Sequence, residues 1–168
     1  MRPGALRRRA FLGGLAAGAL PFGSALHAGQ APDAVCLEWT SAEMLMSLGV
    51  MPRAVADLAG YRIWAVAPEL APSVLDLGSR GEPSMERIAA LKPGLIVTAS
   101  GYGQDESRLR RFAPVETLRL YEGSTAALAD AEGEFLRLAD RLGRRPRAER
   151  MIADVSATLA GLRADLAA

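Results

Sequence analysis

The chain has 168 residues, with 20 basic against 19 acidic side chains, one cysteine and one histidine. The first 28 residues carry Arg2, Arg7, Arg8 and Arg9 and no acid, which leaves 16 basic against 19 acidic residues in the remainder, a net of −3. That balance argues against a nucleic-acid partner, which needs a basic face. A single thiol makes no internal disulfide, and the only histidine, His27, falls in the leader-like segment, which removes His-based metal ligation and His general-base catalysis.

Residues 1–28 read as an export signal: the basic start Arg7-Arg8-Arg9, an apolar run from Phe11 to Leu20, and a small-residue exit from Ala25 to Ala28. Arg8-Arg9-Ala10-Phe11-Leu12 matches the twin-arginine pattern, which sends a folded protein across the bacterial inner membrane. The apolar run is too short for a permanent membrane span. Cys36 sits in the run Ala34-Val35-Cys36-Leu37 with Asp33 three residues before it, where a lipidated cysteine would want Leu, so it reads as a buried strand residue.

Beyond the leader, short apolar runs alternate with helical patterns, which predicts βαβ units and a mainly parallel sheet. The predicted strands are 34–37, 54–56, 74–77, 95–98 and 115–118. Thr40-Ser41-Ala42-Glu43 reads as a capping box opening a helix that ends at Gly49 and turns Met44, Leu45 and Leu48 inward. Ser84 is expected to cap a second helix, with Ile88 and Leu91 inward and Lys92-Pro93 as its stop. Asp105 should cap a third, with Leu109 and Phe112 inward and Pro114 at its end. After Ser124 the strands cease. Leu128, Phe135, Leu138 and Leu142 stripe one helix that breaks at Gly143 with Pro146 beyond it, and Met151, Val155, Leu159, Leu162 and Leu166 stripe another.

Four clusters follow the apolar runs, where open α/β sheets carry their ligand-binding loops. They are Leu37-Glu38-Trp39, Tyr61-Arg62-Ile63-Trp64, Gly78-Ser79-Arg80-Gly81-Glu82-Pro83 and Ser100-Gly101-Tyr102-Gly103. Both tryptophans of an aromatic-poor chain fall in them, together with Tyr102, which points to a binding surface. No Gly-x-Ser-x-Gly, phosphate-binding glycine loop or metal-spaced acidic pair is present, so the expectation is a binding protein and not an enzyme, without cofactor or metal site.

The stretch from about Val35 to Pro114 resembles the N-terminal lobe of periplasmic iron(III)-hydroxamate (ferrichrome-type) siderophore-binding proteins of ABC importers. The resemblance rests on Leu37-Glu38-Trp39, Leu48-Gly49-Val50, Val55-Ala56-Asp57, Tyr61-Arg62-Ile63-Trp64, Arg80-Gly81-Glu82-Pro83, Leu91-Lys92-Pro93 and Gly101-Tyr102-Gly103, in this order. It implies a soluble periplasmic component that binds a ferric hydroxamate siderophore and delivers it to an inner-membrane permease with its ATPase. It implies a pocket lined by Trp39, Trp64, Arg80 and Tyr102, with Arg80 and Tyr102 hydrogen-bonding the iron-hydroxamate oxygens and the tryptophans packing on the siderophore body. It also implies that Glu86 docks the lobe on the permease.

The chemistry of the residues agrees: a neutral tris-hydroxamate complex suits one guanidinium, one phenol and aromatic walls, whereas a triply charged catecholate complex would call for several cations. The expected architecture is a three-layer α/β lobe over 29–145 and an interdomain-type helix over 146–168, truncated where the family continues into a second lobe. Alternatives are a corrinoid- or haem-binding protein of the same fold, the second disfavoured by the missing histidine, and a non-transport interaction fragment that uses its apolar helix as contact surface.

Overall fold

The computed structural model describes residues 32–65, 67–120 and 127–167. The leader at 1–28 and the segment around Ser124 lie outside the described residues. Five strands form one sheet: β1 (Ala34–Cys36), β2 (Ala54–Val55), β3 (Leu75–Asp76), β4 (Leu95–Ala99) and β5 (Val115–Leu118). All neighbours are parallel and the order is β3-β2-β1-β4-β5. The chain therefore steps outward from β1 to β3, then returns to the other side of β1 with β4. That reversal makes the carboxyl ends of β1 and β4 the switch point of the sheet, the place where open α/β sheets bind their ligands.

Pleating divides the core in two. Ala34 and Cys36 face one cluster with Leu45, Leu48, Tyr61, Phe135 and Leu138, while Val35 and Leu37 face the other with Ile88, Leu109 and Leu77. Helices α1 (Trp39–Ser47), α2 (Leu58–Trp64), α5 (Ala127–Arg141) and the start of α6 (Arg145–Leu166) supply the first cluster. Helices α3 (Met85–Leu91) and α4 (Glu106–Leu109) supply the second. The result is the expected three-layer α/β arrangement. Both faces of the sheet are covered, which is why its strands read as continuous apolar runs. Each fully buried Leu or Ile contributes about 1.5–3 kcal/mol from burial, so the ten or so largest carry much of the core energy.

Two local expectations change. The N-cap of α1 is Glu38, not the Thr40-to-Glu43 box: its carboxylate accepts from Thr40 N at 2.7 Å and Ser41 N at 2.5 Å, and the Ser41 hydroxyl donates to Glu38 O. Glu38 is 1% exposed, and a carboxylate in that place is tolerable because the orphan amides and the positive helix end compensate it. Tyr61-Arg62-Ile63-Trp64 is not a loop but the body of α2, started by the Asp57 carboxylate accepting from Gly60 N. A seven-residue helix with a glycine, two aromatics and β-branched Ile63 has little helical signature of its own, and a cap right after a strand sets it. Pro146 lies beyond the break at Gly143, as expected, and occupies the first turn of α6, where its missing N–H costs nothing.

The other signals hold. Ser84 and Asp105 cap α3 and α4 through Arg87 N and through Ser107 N and Arg108 N. Gly49 and Gly143 take positive φ after α1 and α5, and Lys92 ends α3 in the left-handed region. The start of α6 is seated by buried Ala148 and by Arg147, which donates to Ser47 O at 2.5 Å. Farther along, Val155 is largely exposed, and Leu162 and Leu166 are 54% and 89% exposed. Among the described residues no helix is long and apolar enough to cross a membrane.

Candidate functional site at the carboxyl edge of the sheet

Four strand ends deliver the site. Trp39 follows β1, Asp57 follows β2, Arg80 follows β3 and Tyr102 follows β4. The Arg80 guanidinium carbon lies 3.7 Å from the centre of the Trp39 ring and 5.7 Å from that of Tyr102. Stacking through its face, a planar guanidinium keeps its N–H edge for hydrogen bonds, and a cation over an indole is worth about 0.5–1 kcal/mol near solvent. Arg80 Nε also faces Asp57 Oδ2 at 3.5 Å, with both side chains about one third exposed. Among the described residues, neither terminal nitrogen of Arg80 and no phenol of Tyr102 donates a hydrogen bond to the protein.

Trp39 is held from three sides. Its indole N–H donates to Asp57 O at 3.2 Å, its ring meets Tyr61 edge-on at 6.4 Å, and Arg80 covers one face. Tyr61 is itself buried and donates to Pro68 O at 2.6 Å; burial, then the charge of Glu43, pushes its phenol up to about 12.

The loop carrying Arg80 is tied down at its backbone. Gln104 Nε2 donates to Arg80 O at 2.6 Å while its Oε1 accepts from Thr98 Oγ1 at 3.2 Å, which links the loop after β3 to β4 and the loop that follows it. Asp57 N donates to Gly78 O at 2.6 Å, and Gly78 forms a bridge with Pro83. Gly101 and Gly103 have φ of +94° and +74°, the left-handed region that glycine enters without strain. Nothing lies within 4 Å of a Cβ built on either, so the turn and not a neighbouring protein atom accounts for them.

Of the residues singled out in the sequence, Trp39, Arg80 and Tyr102 come together. Trp64 does not join them: it ends α2, is 77% exposed, and makes no ring contact among the described residues. Glu86 is also elsewhere, exposed in the first turn of α3, where its own backbone N–H and the Ser84 hydroxyl hold its carboxyl below the usual range. It lines a groove of 460 Å³ between α3 and α4 with Ser84, Gln104 and Arg108, which includes none of Trp39, Arg80 and Tyr102. Chemistry favours the aromatic cluster as the ligand site, since it combines free donors with apolar faces. Asp57, quoted only as part of a motif, and Gly60 and Gln104 were not among the expected site residues; the signals were an Asp directly after a predicted strand and a Gln two residues after Tyr102. Among the described residues no cluster of acidic, Cys or His side chains could hold a metal.

The sequence profile of the family described as "Periplasmic binding protein" matches residues 34–168. The chain belongs to that family. It is 38% identical over 119 residues to the iron(3+)-hydroxamate-binding protein FhuD of Escherichia coli (strain K12), covering 71% of this chain and 40% of that one. Its fold superposes on the Fe3+–Desferal-bound siderophore-binding protein FhuD of Vibrio cholerae with a TM-score of 0.74 and 37% identity, over 82% of this chain and 52% of the other. Staphylococcus aureus SirA shares the fold alone, with a TM-score of 0.63 and 20% identity over 79% of this chain and 47% of that one. The chain thus spans about half the length of the relatives it matches, and the two FhuD relatives are binding proteins.

Proposed function

We propose that this chain forms the N-terminal ligand-binding lobe of a periplasmic receptor for ferric hydroxamate siderophores, exported by its leader and serving an ABC importer. The observation that carries the reading is the Arg80 guanidinium stacked on Trp39 beside Tyr102 at the sheet's switch point, in a chain 38% identical to a hydroxamate-binding relative. In this reading the free N–H groups of Arg80 and the Tyr102 hydroxyl donate to the electron-rich oxygens around the iron, and Trp39 serves as the platform that aims the guanidinium. Trp64, exposed at the end of α2, supplies an apolar wall to the body of the ligand, which is cargo and not a resident cofactor. Glu86, in the neighbouring groove between α3 and α4, is left to meet an arginine of the permease.

The test is a titration of the purified chain with a panel of ferric complexes, followed by tryptophan emission. Ferrichrome is expected to quench it, iron-free ferrichrome to do so more weakly because only the metal complex preorganises its oxygens, and haem and cobalamin not to compete. Quenching by haem or cobalamin but not by ferrichrome would overturn the hydroxamate assignment. Export is checked separately: Arg8→Lys with Arg9→Lys should hold the precursor in the cytoplasm, and normal export of that variant would remove the twin-arginine route.

A further inference from the structure

Asp57 joins Trp39, Arg80 and the start of α2. Its carbonyl accepts the Trp39 indole N–H, one carboxylate oxygen caps α2 through Gly60 N, and the other faces Arg80 Nε at 3.5 Å. It does so from a left-handed backbone, φ 55° and ψ 53°, which few residues other than Gly, Asn and Asp adopt readily. The packing leaves no slack: a Cβ built on Gly60 would fall 2.6 Å from both Asp57 carboxylate oxygens and 2.7 Å from Trp39 Cζ2. The carboxylate, the indole and the guanidinium are therefore one assembly, with one negative and one positive charge.

We propose that Asp57 is the positioning and charge-balancing residue of this site, holding Arg80 on Trp39 and setting a preference for ferric complexes without net negative charge. This rests on the siderophore-lobe reading above and deepens it. A guanidinium with no counter-charge would attract any anion, a trianionic tris-catecholate most of all. With Asp57 beside it the pair is neutral: hydrogen-bond donors remain for the oxygens of a neutral complex, while an anionic complex meets a carboxylate at short range. Selection comes from the charge that repels the wrong ligand as much as from the donors that hold the right one.

Asp57→Asn separates charge from architecture, since Asn accepts the left-handed backbone and caps helices as well as Asp does. Affinities of the full chain for ferrichrome, a neutral tris-hydroxamate, and for ferric enterobactin, a trianionic tris-catecholate, are measured by fluorescence titration at low and high salt. In the Asn variant the tris-catecholate should bind about tenfold more tightly than to the original chain at low salt, a gain that shrinks at high salt. Ferrichrome should bind two- to fivefold more weakly as Arg80 loosens. Asp57→Glu keeps the charge but strains the backbone and cap, so it should weaken both complexes and leave their ratio near that of the original chain. An unchanged ratio in the Asn variant, with ferrichrome still bound by the original chain, overturns the role of Asp57 and leaves the receptor reading standing. Failure of the original chain to bind ferrichrome overturns the receptor reading, and the role of Asp57 with it.

Discussion

Gly60 lies so close beneath Trp39 that a Cβ on it would sit 2.7 Å from the indole Cζ2. Ordinary helical preference would favour Ala there by about 1 kcal/mol. The clash runs the other way: Ala must push away the Asp57 carboxylate, loosening a cap worth about 0.5–2 kcal/mol, and shift a ring wedged between Tyr61 and Arg80. The crowding should win. Gly60→Ala is expected to lower stability by about 1 kcal/mol in denaturant unfolding and to weaken ferrichrome binding. A stabilised variant with unchanged binding would mean that the assembly is looser than its geometry.

Arg80→Ala should weaken ferrichrome binding by about 1.5–3 kcal/mol, the range for hydrogen bonds to a charged group, and toward the lower end because the site is open to solvent. Arg80→Lys keeps the charge but loses the planar fork and its stacking on Trp39, so it should recover only part of the loss. Full recovery by Lys in the same fluorescence titration would show that charge alone matters.

Tyr102→Phe removes one neutral donor and keeps the ring facing Arg80. The expected loss is about 0.5–1.5 kcal/mol, smaller than for Arg80→Ala. A larger loss than Arg80→Ala would make the phenol, and not the guanidinium, the principal contact.

Tyr61 gives a pH signature. Its phenol is raised from the ordinary value of 10.0 to about 12, chiefly by burial, so the folded state holds its proton more tightly than the unfolded chain does. The stability this contributes is fully present below pH 10 and is lost as pH rises through about 12. Chemical unfolding at stepped alkaline pH should show stability falling across that window. Tyr61→Phe should flatten this component, at a cost of about 1 kcal/mol at neutral pH for the bond to Pro68 O.

Exposed Val155, Leu162 and Leu166 give α6 an uncovered apolar side, and such patches commonly drive association. Sedimentation of the purified chain should show dimers or larger species, and Leu159→Gln with Leu162→Gln should shift it toward monomer. A monomer before mutation would show that the stripe is too sparse to associate.

Much of the fold was legible because its signals are local. An apolar run of four or five residues, a Ser or Asp one residue ahead of a helical stripe, and a Gly or Lys-Pro at its end each act through neighbours in the chain. The five strands and the caps at Ser84 and Asp105 accordingly came out close to their observed positions. The strand order did not come from those signals: whether β4 returns beside β1 depends on which runs pair across some sixty residues. The site divided the same way. Trp39, Arg80 and Tyr102 were marked by residue type after strands, whereas the reach of Glu38 to two amides ahead of it was hidden behind a stronger Thr-to-Glu pattern.

By itself, then, the sequence determined a parallel α/β lobe, its rim residues and, through seven short motifs, its family resemblance, since all of these are written in composition and spacing. Only the tertiary structure decided that Arg80 lies on Trp39, that Asp57 contacts both, and that Trp64 stands apart. Those relations join the ends of β1, β2 and β3, and no rule of local spacing relates residues that only sheet pairing brings within 4 Å.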